Sequence, residues 1–392
     1  MKNQIAVFIK QYNIEYSTSI LCLLEFLLEH YRLILYIDSV KVGQSEMIKN
    51  KNLRIVDLKL KVDLIIRVLR KTSEYIRFVR HFVPVYEKLK QKWKMYRISR
   101  KRFFAHITIE PHAFVLCKDL FPKSRPLYYS LELYLKEDHY GLPYNEVIHN
   151  KEIENVNSIK ALLIQSSERD AIFRKEYRLS AEIPSLYLPV TYKWKSNPEK
   201  TNYLRTKYQI PENKRIVLHL GGIQDYYACL EIAEAFSKIN DYVLIFHGPH
   251  WGSYIEKLHS YIRSKKICNI IISSDIFDRI EDIDVIVNSA DIGIAWYKDI
   301  SVNFNTAGKS SGKISAYYCY GLPVIGNYSI STFDAIESVG CGYCVNDFNE
   351  IENALAKIET NYSILSENAL REYDKTYWFG NYKSSLLKLF EE

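Results

Sequence analysis

Residues 214–247, KRIVLHLGGIQDYYACLEIAEAFSKINDYVLIFH, decide the fold. KRIVLHL is an apolar, β-branched run of the length of one buried strand, and Gly221-Gly222 breaks it. From Ala228 to Ile239 apolar residues recur at helical spacing, and DYVLIFH then reads as a second buried strand. Strand, glycine turn, helix and strand in that order make a βαβ unit, whose two strands must run parallel.

The alternation extends in both directions. Downstream, ICNIIISS (267–274), DIGIAWY (291–297), LPVIGN (322–327) and GYCVND (342–347) are further strand-like runs, most of them ending in small or polar residues. Upstream, QIAVFIK (4–10) precedes a helical period from Thr18 to His30 with Ile20, Leu23, Leu24, Leu27 and Leu28 inward. RLILYID, LRIVDL, AHITIEP, RPLYYSL and ALLIQSS follow as candidate strands. Between residues 191 and 213 the chain turns polar, carries two prolines and has no strand period, which marks a boundary.

The expected fold is therefore α/β, with two Rossmann-like, doubly wound parallel sheets facing across a cleft. The lobes span residues 1–195 and 196–375, and a final amphipathic helix within 376–392 packs back on the first lobe. Open parallel sheets present loop ends at the carboxyl ends of their strands, so ligands are expected there, between the lobes.

Length and composition agree with this reading. A chain of 392 residues suits two lobes that each bury a core. With 47% apolar and 25% charged residues it is neither disordered nor collagen-like. The unusual count is 32 Tyr, which points to much amphipathic surface and names no ligand. Seven irregularly spaced Cys are too few for a secreted disulfide framework, so a reducing cytoplasm is the expected compartment. The first residues lack the apolar core of a signal peptide, and no uncharged apolar run approaches the roughly 18 residues needed to span a bilayer.

Charge is segregated. The net charge is +7, yet residues 51–102 hold seventeen basic and four acidic side chains, so the remainder is net acidic. Within that segment Val85, Leu89, Trp93 and Tyr96 recur at helical spacing, while Lys88, Lys90, Lys92, Lys94, Arg97, Arg100, Lys101 and Arg102 crowd the other positions. Two readings fit: a helix whose apolar stripe packs on the protein's own core, or one that docks reversibly on anionic lipid headgroups. The second makes Lys88, Lys90, Lys92, Trp93, Lys94, Arg97 and Arg100 a membrane-surface patch. No RNP, zinc-finger or comparable pattern accompanies it, so nucleic acid is not the expected partner.

Two segments carry candidate ligand chemistry. Gly221-Gly222 lets backbone N–H groups approach an anion at a helix start; it is not G-x-G-x-x-G, which argues against a dinucleotide cofactor. In NFNTAGKSSGKISAYYCYGLPVIGN (303–327), Asn305, Ser310, Ser311, Gly312 and Lys313 gather before a helix expected over Ile314–Tyr320. Hydroxyls, one ammonium and free N–H groups are what a departing diphosphate needs when no metal carries its charge. The GKS triplet is not a P-loop, since Asn303 stands where the first glycine belongs. Asp282-Ile283-Asp284 lies in a helical stretch, and Cys341-x-x-Cys344 has no second pair nearby, so no metal site is expected.

In order and spacing, HLGGIQDYYACLEIAEAF, DYVLIFHGP, SADIGIAWY and SSGKISAYYCYGLPVI resemble the donor-binding domain of GT-B glycosyltransferases. The resemblance covers residues 214–345 well, and the first lobe matches in architecture only. It implies a sugar nucleotide held by the second lobe, as substrate rather than cofactor, and an acceptor held by the first; the chemistry of the residues themselves makes Gly221, Gly222, His247, Gly248, Asn305 and Ser310 to Lys313 the donor-site candidates. One departure matters. Retaining members of the largest GT-B family carry two glutamates where Gly308 and Ala316 stand here, and the usual basic pair after the first glycine turn is missing, with Gln224 near the arginine position.

Transfer to a hydroxyl needs a base, which the first lobe must supply. HITIEPH ends a strand at Glu110-Pro111-His112, and Glu132 follows the next strand, so Glu110, His112 and Glu132 are the catalytic candidates, Glu110 foremost. The leading expectation is a cytoplasmic glycosyltransferase, peripheral on the inner face of a membrane. It moves a sugar from a nucleotide donor to a glycan or lipid-linked acceptor in surface polysaccharide synthesis, without a metal. The alternatives are a non-catalytic partner subunit that binds glycan or a sister enzyme, which the missing glutamates favour, and a sugar-nucleotide epimerase.

Overall fold

The computed structural model describes residues 2–10, 14, 17–38, 46–59, 71, 77–136, 138, 144–192, 194–250, 252–273 and 280–391. Parts of the basic segment, residues 60–70 and 72–76, lie outside the described residues.

Among the described residues thirteen strands form two parallel sheets. The first contains β1 (Gln4–Lys10), β2 (Arg32–Asp38), β3 (Leu53–Asp57), β4 (Ala105–Ile109), β5 (Leu127–Tyr129), β6 (Ala161–Ile164) and β7 (Ser185–Tyr187), in the order β3-β2-β1-β4-β5-β6-β7. The second contains β8 (Arg215–Leu220), β9 (Tyr242–His247), β10 (Ile270–Ile272), β11 (Ile292–Ala295), β12 (Val324–Asn327) and β13 (Gly342–Val345), in the order β10-β9-β8-β11-β12-β13. Both are doubly wound, so the strand order reverses between β1 and β4 and between β8 and β11. At those two points neighbouring loops diverge and leave a crevice.

The local chemistry explains the elements. Ile5 to Ile9 of β1 are fully buried because helices cover both faces of the sheet, which is why these strands read as continuous apolar runs. In the second lobe the reversal between β8 and β11 is stapled by Tyr317, from the Gly312–Cys319 helix. Its hydroxyl accepts from Leu220 N at 2.9 Å and donates to Leu218 O at 2.8 Å. Gly293 on β11 admits the ring, since a Cβ there would stand 2.3 Å from it.

The lobes are joined twice, side by side. Tyr192 bridges Trp378, and Phe379 N donates to Tyr192 O at 3.0 Å. Beyond this crossing Phe379 and the Lys383–Glu391 helix return to the first lobe, where Phe379, Leu386 and Phe390 join the core under β1 and β2. Phe26 meets Phe379 edge-on, with ring centroids 5.9 Å apart.

The basic segment forms the helix Arg77–Ser99. The reading in which its aromatic stripe packs on the protein's own core is overturned. Val83, Met95 and Ile98 pack inward, whereas Val85, Leu89, Trp93 and Tyr96 point to solvent with 52–60% of their surface exposed. One charged residue leaves the expected patch. Lys94 turns inward and donates to the carbonyls of Asp57 at 2.6 Å and Lys59 at 2.7 Å, fixing the helix to the end of β3. Among the described residues no helix is long and apolar enough to cross a membrane.

Candidate active site

A cavity of about 310 Å³ opens between the lobes. The first lobe contributes Glu132, the crossing segment Tyr192, and the second lobe Gly221, Tyr227, Tyr297, Asn303, Phe304 and Ser310 to Lys313.

The second-lobe wall is built from glycines and one cation. Gly221 (φ +105°) and Gly248 (φ +148°) cross at the ends of β8 and β9, where a Cβ on Gly248 would lie 2.1 Å from Gly221 O. A Cβ on Gly221 would in turn press the Lys313 stem at 3.1 Å. Both positions need glycine, because left-handed backbone and close approach coincide there. Ser311 caps the helix Gly312–Cys319, its Oγ accepting from Ile314 N and bonding the Tyr297 hydroxyl.

Lys313 is buried in the first turn of that helix, and its Nζ has no hydrogen-bond partner among the described residues. It stands 3.4 Å from the centroid of the Tyr227 ring and 5.2 Å from that of Tyr297. Two aromatic faces compensate only part of the lost hydration, so burial pulls the ammonium down to about 7. An unpaired buried cation beside free helix N–H groups is a socket for an anion.

The first-lobe wall is the turn 131–133. Glu110 ends β4 in a left-handed conformation (φ +71°), which folds its side chain beneath that turn instead of into the cleft. Its Oε1 accepts from Leu131 N at 2.6 Å and Glu132 N at 3.1 Å, and burial pushes the carboxyl up to about 8, with the Tyr134 hydroxyl opposing. Glu110 therefore shapes the turn and does not line the cavity. His112 lies outside it too, beside a separate small cavity with Tyr134, Tyr144, His149 and Glu152. Glu132 faces the interlobe cavity, its side chain 46% exposed. Desolvation pushes its carboxyl up, and Arg169, 3.3 Å away, opposes this.

Of the expected donor residues, Gly221, Ser310, Ser311, Gly312 and Lys313 line the cavity. Gly222, His247, Gly248 and Asn305 do not. The Gly222 carbonyl takes His219 Nε2, Gly248 supports Gly221, and Asn305 donates outward to Asp299 at 2.6 Å. His247 is buried against Ser273 Oγ at 3.0 Å, and burial pushes its imidazole down to about 4. Sequence reasoning missed Asn303, Tyr192, Tyr227 and Tyr297; the high tyrosine count was the only signal for the last three, and Asn303 had none. The two positions that lack the family's glutamates are closed as well. A Cβ on Gly308 would stand 2.1 Å from Ser331 O, and Ala316 is buried in the lobe core. Asp282-Ile283-Asp284 falls inside the helix Ile280–Asn288, and the Asp282 side chain lies outside the described residues. No group of three potential metal ligands gathers among the described residues.

Two facing Rossmann-like lobes are the architecture of GT-B glycosyltransferases. The chain aligns over 99% of its length with 99% of HepE from Anabaena, solved with UDP and glucose, at a TM-score of 0.69 and 12% identity. Sucrose-phosphate synthase from Thermosynechococcus elongatus gives 0.71 and 12%, covering 100% of this chain and 98% of its own. WaaG, a glycosyltransferase of lipopolysaccharide biosynthesis, gives 0.61 and 14%, covering 94% and 95%. Residues 279–384, the part that includes Asn303 and Lys313, match the Glucosyltransferase 3-like, C-terminal domain. No curated protein matches the chain by sequence.

Proposed function

We propose that the cleft transfers a glycosyl group from a nucleoside diphosphate sugar to a hydroxyl of a glycan or lipid-linked acceptor, with no metal needed for the leaving group. The observation that carries this is Lys313, a buried and unpaired ammonium at a helix start, facing Glu132 across the cavity. In the step, Glu132 takes the acceptor proton, the acceptor oxygen bonds to the anomeric carbon, and the sugar–phosphate bond breaks. Its electron pair leaves on the diphosphate, where Lys313 and the helix N–H groups stabilise the charge. HepE, solved with UDP-glucose, supports a uridine nucleotide as the first donor to try.

A thermal-shift screen with UDP, GDP, CMP and their sugars tests the donor site. A selective nucleotide at about 100 times its Kd should add about 2.7 kcal/mol of stability. No shift with any of them would refute the assignment. Following the responding sugar nucleotide over time then separates an enzyme from the non-catalytic partner, which turns over none, and from an epimerase, which converts donor without releasing nucleotide.

The outward stripe Val85, Leu89, Trp93 and Tyr96, flanked by Lys88, Lys92, Arg97 and Arg100, supports docking on an anionic lipid surface during surface polysaccharide synthesis. Arg97 lies over the Trp93 ring at 4.8 Å, pairing cation with aromatic at the helix surface. At about 1 kcal/mol per basic residue, changing Lys88, Lys90 and Lys92 to Gln should weaken binding to phosphatidylglycerol vesicles by about 100-fold. Unchanged sedimentation with such vesicles would rule this surface out.

A further inference from the structure

The turn that presents Glu132 is held from both lobes. Arg169, on the helix Ser167–Tyr177, is almost wholly buried; its Nη1 donates to Leu131 O at 2.7 Å and to Gln165 Oε1 at 2.6 Å. Its Nη2 lies 3.3 Å from Glu132 Oε2 and donates also to Asn303 Oδ1, which belongs to the second lobe. Asn303 further clamps the turn, its Oδ1 accepting from Leu133 N at 2.8 Å and its Nδ2 donating to Leu133 O at 2.9 Å. One side-chain amide thus reads both edges of a backbone unit in the opposite lobe and shares the guanidinium with the carboxylate. At 3.3 Å the carboxylate holds Arg169 more loosely than a tight charged bond of about 2.8 Å would.

We propose that Asn303 and Arg169 are positioning residues that couple lobe closure to the base. When the lobes meet, Asn303 fixes the turn at Leu133 and draws Arg169 partly away from Glu132, leaving that carboxylate free to accept a proton. When they part, the buried guanidinium loses an acceptor and pairs fully with Glu132, which silences it. This rests on the reading of Glu132 as base. The titratable groups facing Glu132 are Arg169, Glu110 and Asp138 from the first lobe and Lys313 across the cavity, with the phenols of Tyr192, Tyr227 and Tyr297 also lining that cavity.

The test is the pH profile of kcat/KM for UDP release from UDP-glucose. Its acid limb reports Glu132 and its alkaline limb Lys313. Asn303→Ala, which leaves the Arg169 Nη2 to Glu132 alone, should move the acid limb down by about one pH unit. Asn303→Asp, which competes for Arg169 and adds a like charge, should move it up. Opposite displacements are not what a merely structural contact would give, and a limb unmoved in both variants overturns the coupling. Glu132→Gln separates the two failures. Loss of turnover by Glu132→Gln with an unmoved limb defeats the coupling alone, whereas full turnover by Glu132→Gln defeats the base reading and this one with it. If the Asn303 variants do not fold, amide exchange in the unaltered protein decides. Slower exchange at Leu133 with UDP supports the coupling, and identical exchange overturns it.

Discussion

Glu132→Gln should lower kcat by about 10²- to 10⁴-fold, the usual contribution of a positioned general base, while leaving nucleotide affinity nearly unchanged. The amide keeps the size of the carboxylate and can still meet Arg169 through its oxygen, so the turn 131–133 stays in place. Glu110→Gln is the informative contrast. Glu110 is buried, its carboxyl is pushed up to about 8, and it uses one oxygen to accept from Leu131 N and Glu132 N. A protonated acid and an amide offer the same acceptor there, so most of the activity should survive. Steady-state kinetics on the two variants checks both expectations, and the reverse ranking would hand the base role to Glu110.

Lys313→Met should weaken nucleoside diphosphate binding by about 10- to 100-fold, since a hydrogen bond to a charged group contributes about 1.5–3 kcal/mol. Methionine retains an apolar stem between Gly221 and the Tyr227 ring, so the lobe should keep its fold. The pH dependence gives the sharper signature. Without an anion the ammonium titrates at about 7, because desolvation penalises its charged form. A bound diphosphate favours that form and raises the value. On the alkaline side of 7 the free protein has therefore lost a proton that the complex holds, so binding takes one up. Affinity should fall by up to about tenfold per pH unit there, and should be flat on the acid side down to about pH 6, where the terminal phosphate of the nucleotide itself takes up a proton. Calorimetry in buffers of differing ionisation enthalpy reads this proton directly. The Met variant should show neither the slope nor the uptake.

How far such groups were legible depended on whether their role is local. Twelve strands were readable as mostly apolar runs, because helices cover both sheet faces and bury the central strands on both sides. β7 was not, since SLY is short and sits half-exposed at the sheet edge. Ser310 to Lys313 stood out as candidates because hydroxyls and a cation gather before a helix, and they line the interlobe cavity. Asn303 and Arg169 are ordinary residues until two lobes bring them together across 134 positions of sequence. Glu110 misled because a strand end normally points its side chain into the crevice, and only the left-handed backbone at that residue turns it under. The helix Arg77–Ser99 left two readings open for another reason. It carries two apolar faces, Val83, Met95 and Ile98 on one and Val85, Leu89, Trp93 and Tyr96 on the other, and periodicity cannot choose which is inside.

The return of Phe379, Leu386 and Phe390 to the core under β1 and β2 bears on how the chain is made. Seven strands of the first lobe leave the ribosome early, yet three of the side chains that seal them are translated only after the whole second lobe. Until then the groove against Phe26 stands open, an apolar surface that a nascent chain must shield. The order of synthesis thus postpones completion of the first lobe's core until the second lobe has been made.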